Sequence, residues 1–235
     1  MRLAISTVRA VSAKALRSLL GSLHGVPRLR GALAGPALAA GLAAFAAAPA
    51  AAQTFASLPS VPSSAVTAGA AKPIAAWVVF CQSYAAECAL DRAEPARIVL
   101  TPAIWTRIVA VNRRVNASVT AITDMDHLGV PDRWDLAEDG AGDCEDFQLL
   151  KRSLLAQAGL PRRAMRMTVV IDEKGEGHAV LTLITDHGDL VLDNKTSQIL
   201  PWHRTGYTFI KRESQDAVAW VSLGGVTSPA TTANR

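Results

Sequence analysis

The sequence predicts an α+β fold, on three observations. Residues 101–119 and 143–158 carry apolar side chains at helical spacing between clear start and stop signals. Beyond Pro161 the pattern changes to short segments rich in Val, Leu, Ile, Thr and Met, separated by turn sequences. Helices come first and strands after, with no internal repeat, which describes helices packed on an antiparallel sheet of three to five strands.

Taken in order, residues 1–52 read as a signal peptide. Six Lys/Arg and no acid precede or border an Ala/Gly/Leu/Pro run that ends in Ala50-Ala51-Ala52, a small-residue cleavage signature. An uncleaved membrane anchor is the alternative, but Ala dominates over Leu, and Pro36 and Pro49 interrupt the run. Cleavage near Ala52 would place the remainder in the periplasm or outside the cell. Residues 53–73, rich in Ala, Ser, Pro and Thr, read as a flexible linker. Residues 74–223 form the folded domain, and 224–235 a loose tail.

Within the domain, Thr101 caps a helix whose first turn accepts Pro102. Its apolar face is Ile104, Ile108, Val111 and Val115, with Asn112 and Asn116 four apart at the edge, where they could reach the site but read first as solvated polar positions. Residues 118–142 show neither helical nor strand period and hold six acids against one Arg, the profile of a functional loop. Asp143 is a good N-cap for the next helix, Glu145 and Asp146 suit its positive end, and Gly159 with Pro161 ends it. Its stripe is Phe147, Leu150, Leu154 and Ala158. Strands follow at 165–171, 178–185, 190–193, 207–212 and 217–223.

Charge excludes one class of function. The whole chain is +4, but without residues 1–52 there are 18 basic residues against 20 acidic ones, or −2. A nucleic-acid-binding body is therefore not expected. Three cysteines remain: Cys81 and Cys88, close enough to pair or else two buried thiols, and Cys144, the odd one.

Cys144 is at a helix N-terminus, where the dipole and free N–H groups favour thiolate and an oxyanion. A thiol nucleophile also needs a base and an acceptor that orients it. His178 opens one strand in GEGHAVL, and Asp193 closes the next in LVLDN. Register tests the pairing. A turn over the four residues 185–188 sets Asp193 opposite Val180, diagonal to His178 and within reach of it; a turn centred on His187-Gly188 sets it opposite Thr182. The first arrangement, or a bulge, is expected. Against activation stand Asp143, Glu145 and Asp146, whose charges raise a thiol pKa. A bound cation would cancel them, and clustered carboxylates are a hard-oxygen set suited to Ca²⁺. DMDHLGVPDRWD faintly echoes an EF-hand loop, with Asp124, Asp126, Gly129 and Asp132 in phase but Leu128 where an oxygen ligand belongs.

These segments (GDCEDF, GEGHAVLTL, GDLVLDN, a turn carrying Trp202 and GYTFIKR) closely resemble the bacterial transglutaminase-like cysteine proteinases over roughly residues 75–215. The resemblance implies a papain-like/transglutaminase-like core with the nucleophile helix on an antiparallel sheet. It implies Cys144 as nucleophile, His178 as base, Asp193 as orienter, and Asp143, Glu145 and Asp146 as calcium ligands. Trp134, in DRWD, is similar to an aromatic flanking the site in that family. The family's LapG-type branch is periplasmic and calcium-dependent, and clips large surface adhesins; a protein substrate, such as an adhesin, and a membrane-anchored regulator are the partners implied. This chain differs from that branch in its Cys81/Cys88 pair and in having Phe147 where the branch has Tyr. Two other readings remain open on the residues alone: transglutaminase-type acyl transfer, and a non-catalytic calcium-binding regulator.

Overall fold

A computed structural model describes residues 53–58 and 62–225; the leader and most of the tail lie outside the described residues. In chain order the elements are β1 (Ala70–Ala71), α1 (Ala75–Ser83), α2 (Ala85–Cys88), α3 (Pro102–Ser118), β2 (Thr120–Ala121), α4 (Asp124–Leu128), β3 (Ala141–Gly142), α5 (Cys144–Gln157), β4 (Met165–Ile171), β5 (Gly177–Thr185), β6 (Gly188–Leu192), β7 (Leu200–Pro201), β8 (Thr208–Glu213) and β9 (Trp220–Ser222). Seven strands form one sheet in the order β1-β9-β8-β4-β5-β6-β7, each antiparallel to its neighbours. β2 and β3 pair separately and in parallel. Among the described residues no helix is long and apolar enough to cross a membrane.

All five strands that sequence patterns identify are present, four within about two residues and the last shortened from 217–223 to Trp220–Ser222; the two strands the main sheet adds, β1 and β7, are two-residue edge strands too short to show a period. Every residue of β5 after Gly177 is buried, because both faces of the sheet are covered. Leu181 and Leu183 turn toward the helices and join a large core with Met165, Met167, Leu155 and Trp105. On the other face Val170, Val180, Val191 and Phe209 pack beneath Trp202, Tyr207 and Leu223.

Helix signals were legible but faces were not. Thr101 accepts from Ile104 N and Pro102 opens α3, as its sequence predicts. The buried face, however, is Trp105, Ile108, Val109, Asn112 and Val115, and Ile104 and Val111 are only partly buried. α5 lies between α3 and the sheet, so Leu149, Lys151, Arg152 and Leu155 are buried, while Leu150 and Leu154 are half-buried. A one-stripe reading fails for a helix covered on most sides. The stretch 118–142, read as without period, holds α4 and the β2–β3 pair, elements too short for periodicity to register.

Composition at 53–73 suggests a linker, but its described residues lie against the domain. The Gln53 side chain donates to Ile199 O and accepts from Ile199 N. Ser63 O accepts from Asp189 N, Ala65 N donates to Asp189 Oδ2, and β1 adds to β9. These bonds use backbone groups, one amide and one carboxylate, whose pairing hydropathy does not report.

Candidate active site

α5 begins at Cys144, with Asp143 as N-cap in a reciprocal capping box with Asp146. The Cys144 side chain has no solvent exposure. Its sulfur accepts from Ala179 N at 3.4 Å, the peptide immediately after His178, and donates to Glu145 Oε2 at 3.2 Å. Burial, then the charges of Glu145 and Asp143, push the thiol well above its ordinary pKa.

The β5–β6 hairpin turns over residues 185–188, with Thr185 opposite Gly188 and Leu181 opposite Leu192. Continued by one residue, that register sets Asp193 opposite Val180, the first of the two arrangements weighed. His178 Nε2 lies 2.9 Å from Asp193 Oδ1, and both residues are buried. Burial alone would raise the Asp193 carboxyl. Hydrogen bonds from His178, Tyr207 and the Lys195 N–H outweigh it and hold the group below the usual carboxylate range. An ionised Asp193 only accepts, so Nε2 carries the imidazole proton and Nδ1 has the free lone pair. Nδ1 is buried and has no hydrogen-bond partner.

Asp193 is more heavily supported than its sequence suggests. Its backbone carbonyl accepts from Lys151 Nζ on α5 and from Asn116 Nδ2 on α3, each at 2.9 Å. Asn112 is fully buried and donates to Ser197 O in the same loop. The two asparagines read as solvated polar positions therefore fasten the loop after β6. Helical spacing placed them together at a face edge; only the packing of α3 on that loop shows their use. Lys195 pairs with Asp172, tying the β4–β5 turn to the same loop.

Around the thiol the three predicted acids are joined by two more. Oxygens of Asp124, Asp143 and Asp146 lie within 4.8 Å of one another, as do those of Asp124, Asp132 and Glu145, and Asp143 and Glu145 form a like group with Cys144 Sγ. Asp124 and Asp132 are the residues of the faint EF-hand echo, but Asp124 opens α4 rather than an ion-binding loop. Burial is the largest cause of raised carboxyls throughout: Asp132 to about 6, Asp143 to about 7 and Asp146 to about 8, with Glu145 well above its ordinary value. Asp124 Oδ1, Asp132 Oδ1 and Asp143 Oδ1 are buried with no hydrogen-bond donor. Buried acceptors without donors, all hard oxygen and mutually close, fit a Ca²⁺-sized cation.

Trp134 is buried, edge-on to Trp220 at 6.2 Å, and borders a cleft of about 550 Å³ between α1 and residues 130–135. Cys81 and Cys88 are disulfide-bonded, and Cys144 is a thiol. Tyr84, inside the disulfide loop, donates to Asp135 Oδ1 at 2.8 Å, and Asp135 N donates to Asp146 Oδ1 at 2.7 Å. The disulfide loop thus braces the segment that covers the acidic cluster.

A thiol at a helix N-terminus beside a strand whose histidine pairs with an aspartate just past the next strand suits acyl chemistry at sulfur. The family profile described as "Bacterial transglutaminase-like cysteine proteinase BTLCP" matches residues 66–228, and the chain belongs to that family of cysteine peptidases. Among solved structures it is similar to Legionella pneumophila LapG, 24% identical over 52% of this chain and 71% of that one, with a TM-score of 0.45. The calcium-bound form of that protein matches at 24% identity, 55% and 74% coverage and a TM-score of 0.45. Its EGTA-treated form matches at 26%, 46% and 62%, with a TM-score of 0.41. No curated protein matches the chain.

Proposed function

We propose that this cysteine peptidase is exported and hydrolyses a peptide bond of a surface or periplasmic protein, a large adhesin being the specific expectation, through Cys144, His178 and Asp193, with calcium bound beside the thiol. The observation that carries this reading is the buried His178–Asp193 hydrogen bond at 2.9 Å with Nδ1 left unpartnered, on the strand whose next N–H, that of Ala179, donates to the buried thiol at 3.4 Å.

In the proposed reaction His178 Nδ1 takes the Cys144 proton as sulfur attacks the scissile carbonyl. The Cys144 N–H, at the first position of α5, is one donor to the oxyanion. The imidazolium returns its proton to the departing amine, leaving a thioester on Cys144. Water, deprotonated by the same nitrogen, displaces the sulfur and releases the acid. Asp193 holds the Nε2–H throughout and stabilises the imidazolium.

Asp143, Glu145, Asp146, Asp124 and Asp132 would hold calcium, and its charge would offset the carboxylates that oppose thiolate. Glu145 held as a ligand would no longer accept the thiol proton at Oε2, and Cys144 would give that proton to His178.

The test uses purified protein and iodoacetamide at neutral pH. Wild type with calcium labels at Cys144; EGTA suppresses labelling, and Asp143→Ala with Glu145→Ala mimics EGTA. Equal rates with and without EGTA would overturn the calcium reading. Surface proteomics of cells expressing wild type or Cys144→Ala then identifies the substrate: a truncated surface protein present only with wild type supports hydrolysis, whereas amine incorporation into glutamine with no truncation supports acyl transfer instead. The expected membrane-anchored regulator is sought by affinity capture with Cys144→Ala from solubilised membranes.

A further inference from the structure

We propose that Tyr207 is a positioning residue of the active site, holding the Asp193 carboxylate in the one orientation that presents His178 Nδ1 to the thiol. The inference rests on the Cys144–His178–Asp193 reading above.

Tyr207 stands just ahead of β8, after Gly206, whose φ of 80° turns the chain back toward the sheet. β8 is separated from β6 by β4 and β5, so backbone hydrogen bonding cannot link Tyr207 to Asp193. The side chain makes the link instead. Its hydroxyl donates to Asp193 Oδ2 at 2.7 Å, while Oδ1 is held by His178 Nε2 and Lys195 N. Each carboxylate oxygen thus has its own donor, which removes rotation about the last side-chain bond. The phenol ring also meets the imidazole edge-on, with centroids 5.7 Å apart and planes at 81°. One residue therefore fixes both partners of the pair.

The surroundings leave Tyr207 without a substitute. The other groups on Asp193, Lys151 and Asn116, bind its backbone carbonyl and cannot restrain the carboxylate. Lys195, two residues along the loop, directs its ammonium to Asp172. Burial and the neighbouring Asp193, Glu173 and Asp172 charges push the phenol above its ordinary range, so it stays a donor at working pH. Without it, Asp193 Oδ2 would be a buried acceptor lacking a donor, and a carboxylate that loses one donor pulls harder on the other.

Tyr207→Phe keeps the ring and removes the hydroxyl. In calcium-containing buffer its iodoacetamide labelling rate at Cys144 should fall roughly ten- to a hundredfold, the worth of one hydrogen bond to a charged group. The NMR signal of the proton between His178 Nε2 and Asp193 should move downfield as the remaining bond shortens, a change that simple destabilisation would not produce. Tyr207→Leu, which also removes the ring, should lose more. If wild type does not label, the triad reading fails. If wild type and Tyr207→Phe label equally and the proton signal stays put, the triad stands and the role of Tyr207 is refuted.

Discussion

At the scale of single residues, Lys151 carries an amine into a fully buried position two turns along α5 from Cys144, where its hydrogen bonds go to Gln148 Oε1 and Asp193 O. Burial lowers it to about 7, with Asp193 opposing. The unfolded amine titrates near pH ~10.4. Between those values the unfolded chain binds a proton that the folded chain does not, so this group makes stability rise with pH from about 7 to about 10 and adds no slope below. Lys151→Met should abolish that increment: its urea midpoint, relative to wild type, is highest at pH 7 and loses its advantage by pH 10. A constant difference across that range would show the amine to be charged throughout. Nothing in the sequence distinguishes this lysine from a surface one, because its burial comes from α3 and the strands closing over α5.

At the scale of elements, the N-terminus of α5 concentrates cap, nucleophile and acidic cluster in one turn. Gly142 precedes it, and a Cβ there would overlap the Asp146 carboxylate. Gly142→Ala should break the capping box, costing about 1–2 kcal/mol by thermal or urea unfolding, and reduce the melting-temperature gain on adding calcium. The same turn sets a pH dependence. Burial raises Asp132, Asp143 and Asp146 to about 6, 7 and 8, so their contribution to stability is fully present below the unfolded value near pH ~4 and is lost as pH rises through the folded values. Calcium binding to the ionised groups should therefore raise the melting temperature more at pH 8 than at pH 5.5; an equal or smaller gain at pH 8 would exclude these carboxylates as its ligands. Sequence made α5 legible through Asp143, Gly159 and Pro161, and made Asp143, Glu145 and Asp146 visible as neighbours. Asp124 and Asp132 were visible only as a broken motif, since their carboxylates meet the others through the path of 118–142, which has no period.

At the scale of the whole molecule, residues 62–71 run across the sheet face opposite the helices and bind at both ends of their path. Asp189 on β6 is held by Ala65 N and by Arg212 Nη1 at 2.8 Å, and Trp202 Nε1 donates to Ser63 Oγ. Gly188, at φ 91°, lies under the Ser63 backbone, where a Cβ would overlap it. Gly188→Ala should cost roughly 1–2 kcal/mol from the left-handed conformation alone, with more from displacing the strap. Hydrogen exchange should accelerate at Asp189 and Ala65 rather than in α5. Uniform acceleration would show the strap to be no separate unit of stability.

By itself the sequence determined the longer elements, the order of helix, cysteine, histidine strand and aspartate strand, and the two hairpin registers between which the structure chose. Caps, turn residues and side-chain alternation act over a few positions and are written locally. Only the tertiary structure decided that Asn116, Lys151 and Tyr207 converge on Asp193, that two distant aspartates complete the acidic cluster, and that an Ala/Ser/Pro segment lies on the sheet. Those outcomes depend on which surfaces meet once the helices close over the strands. A polar side chain carries no mark of the backbone group, often some 80 residues away, that will satisfy it.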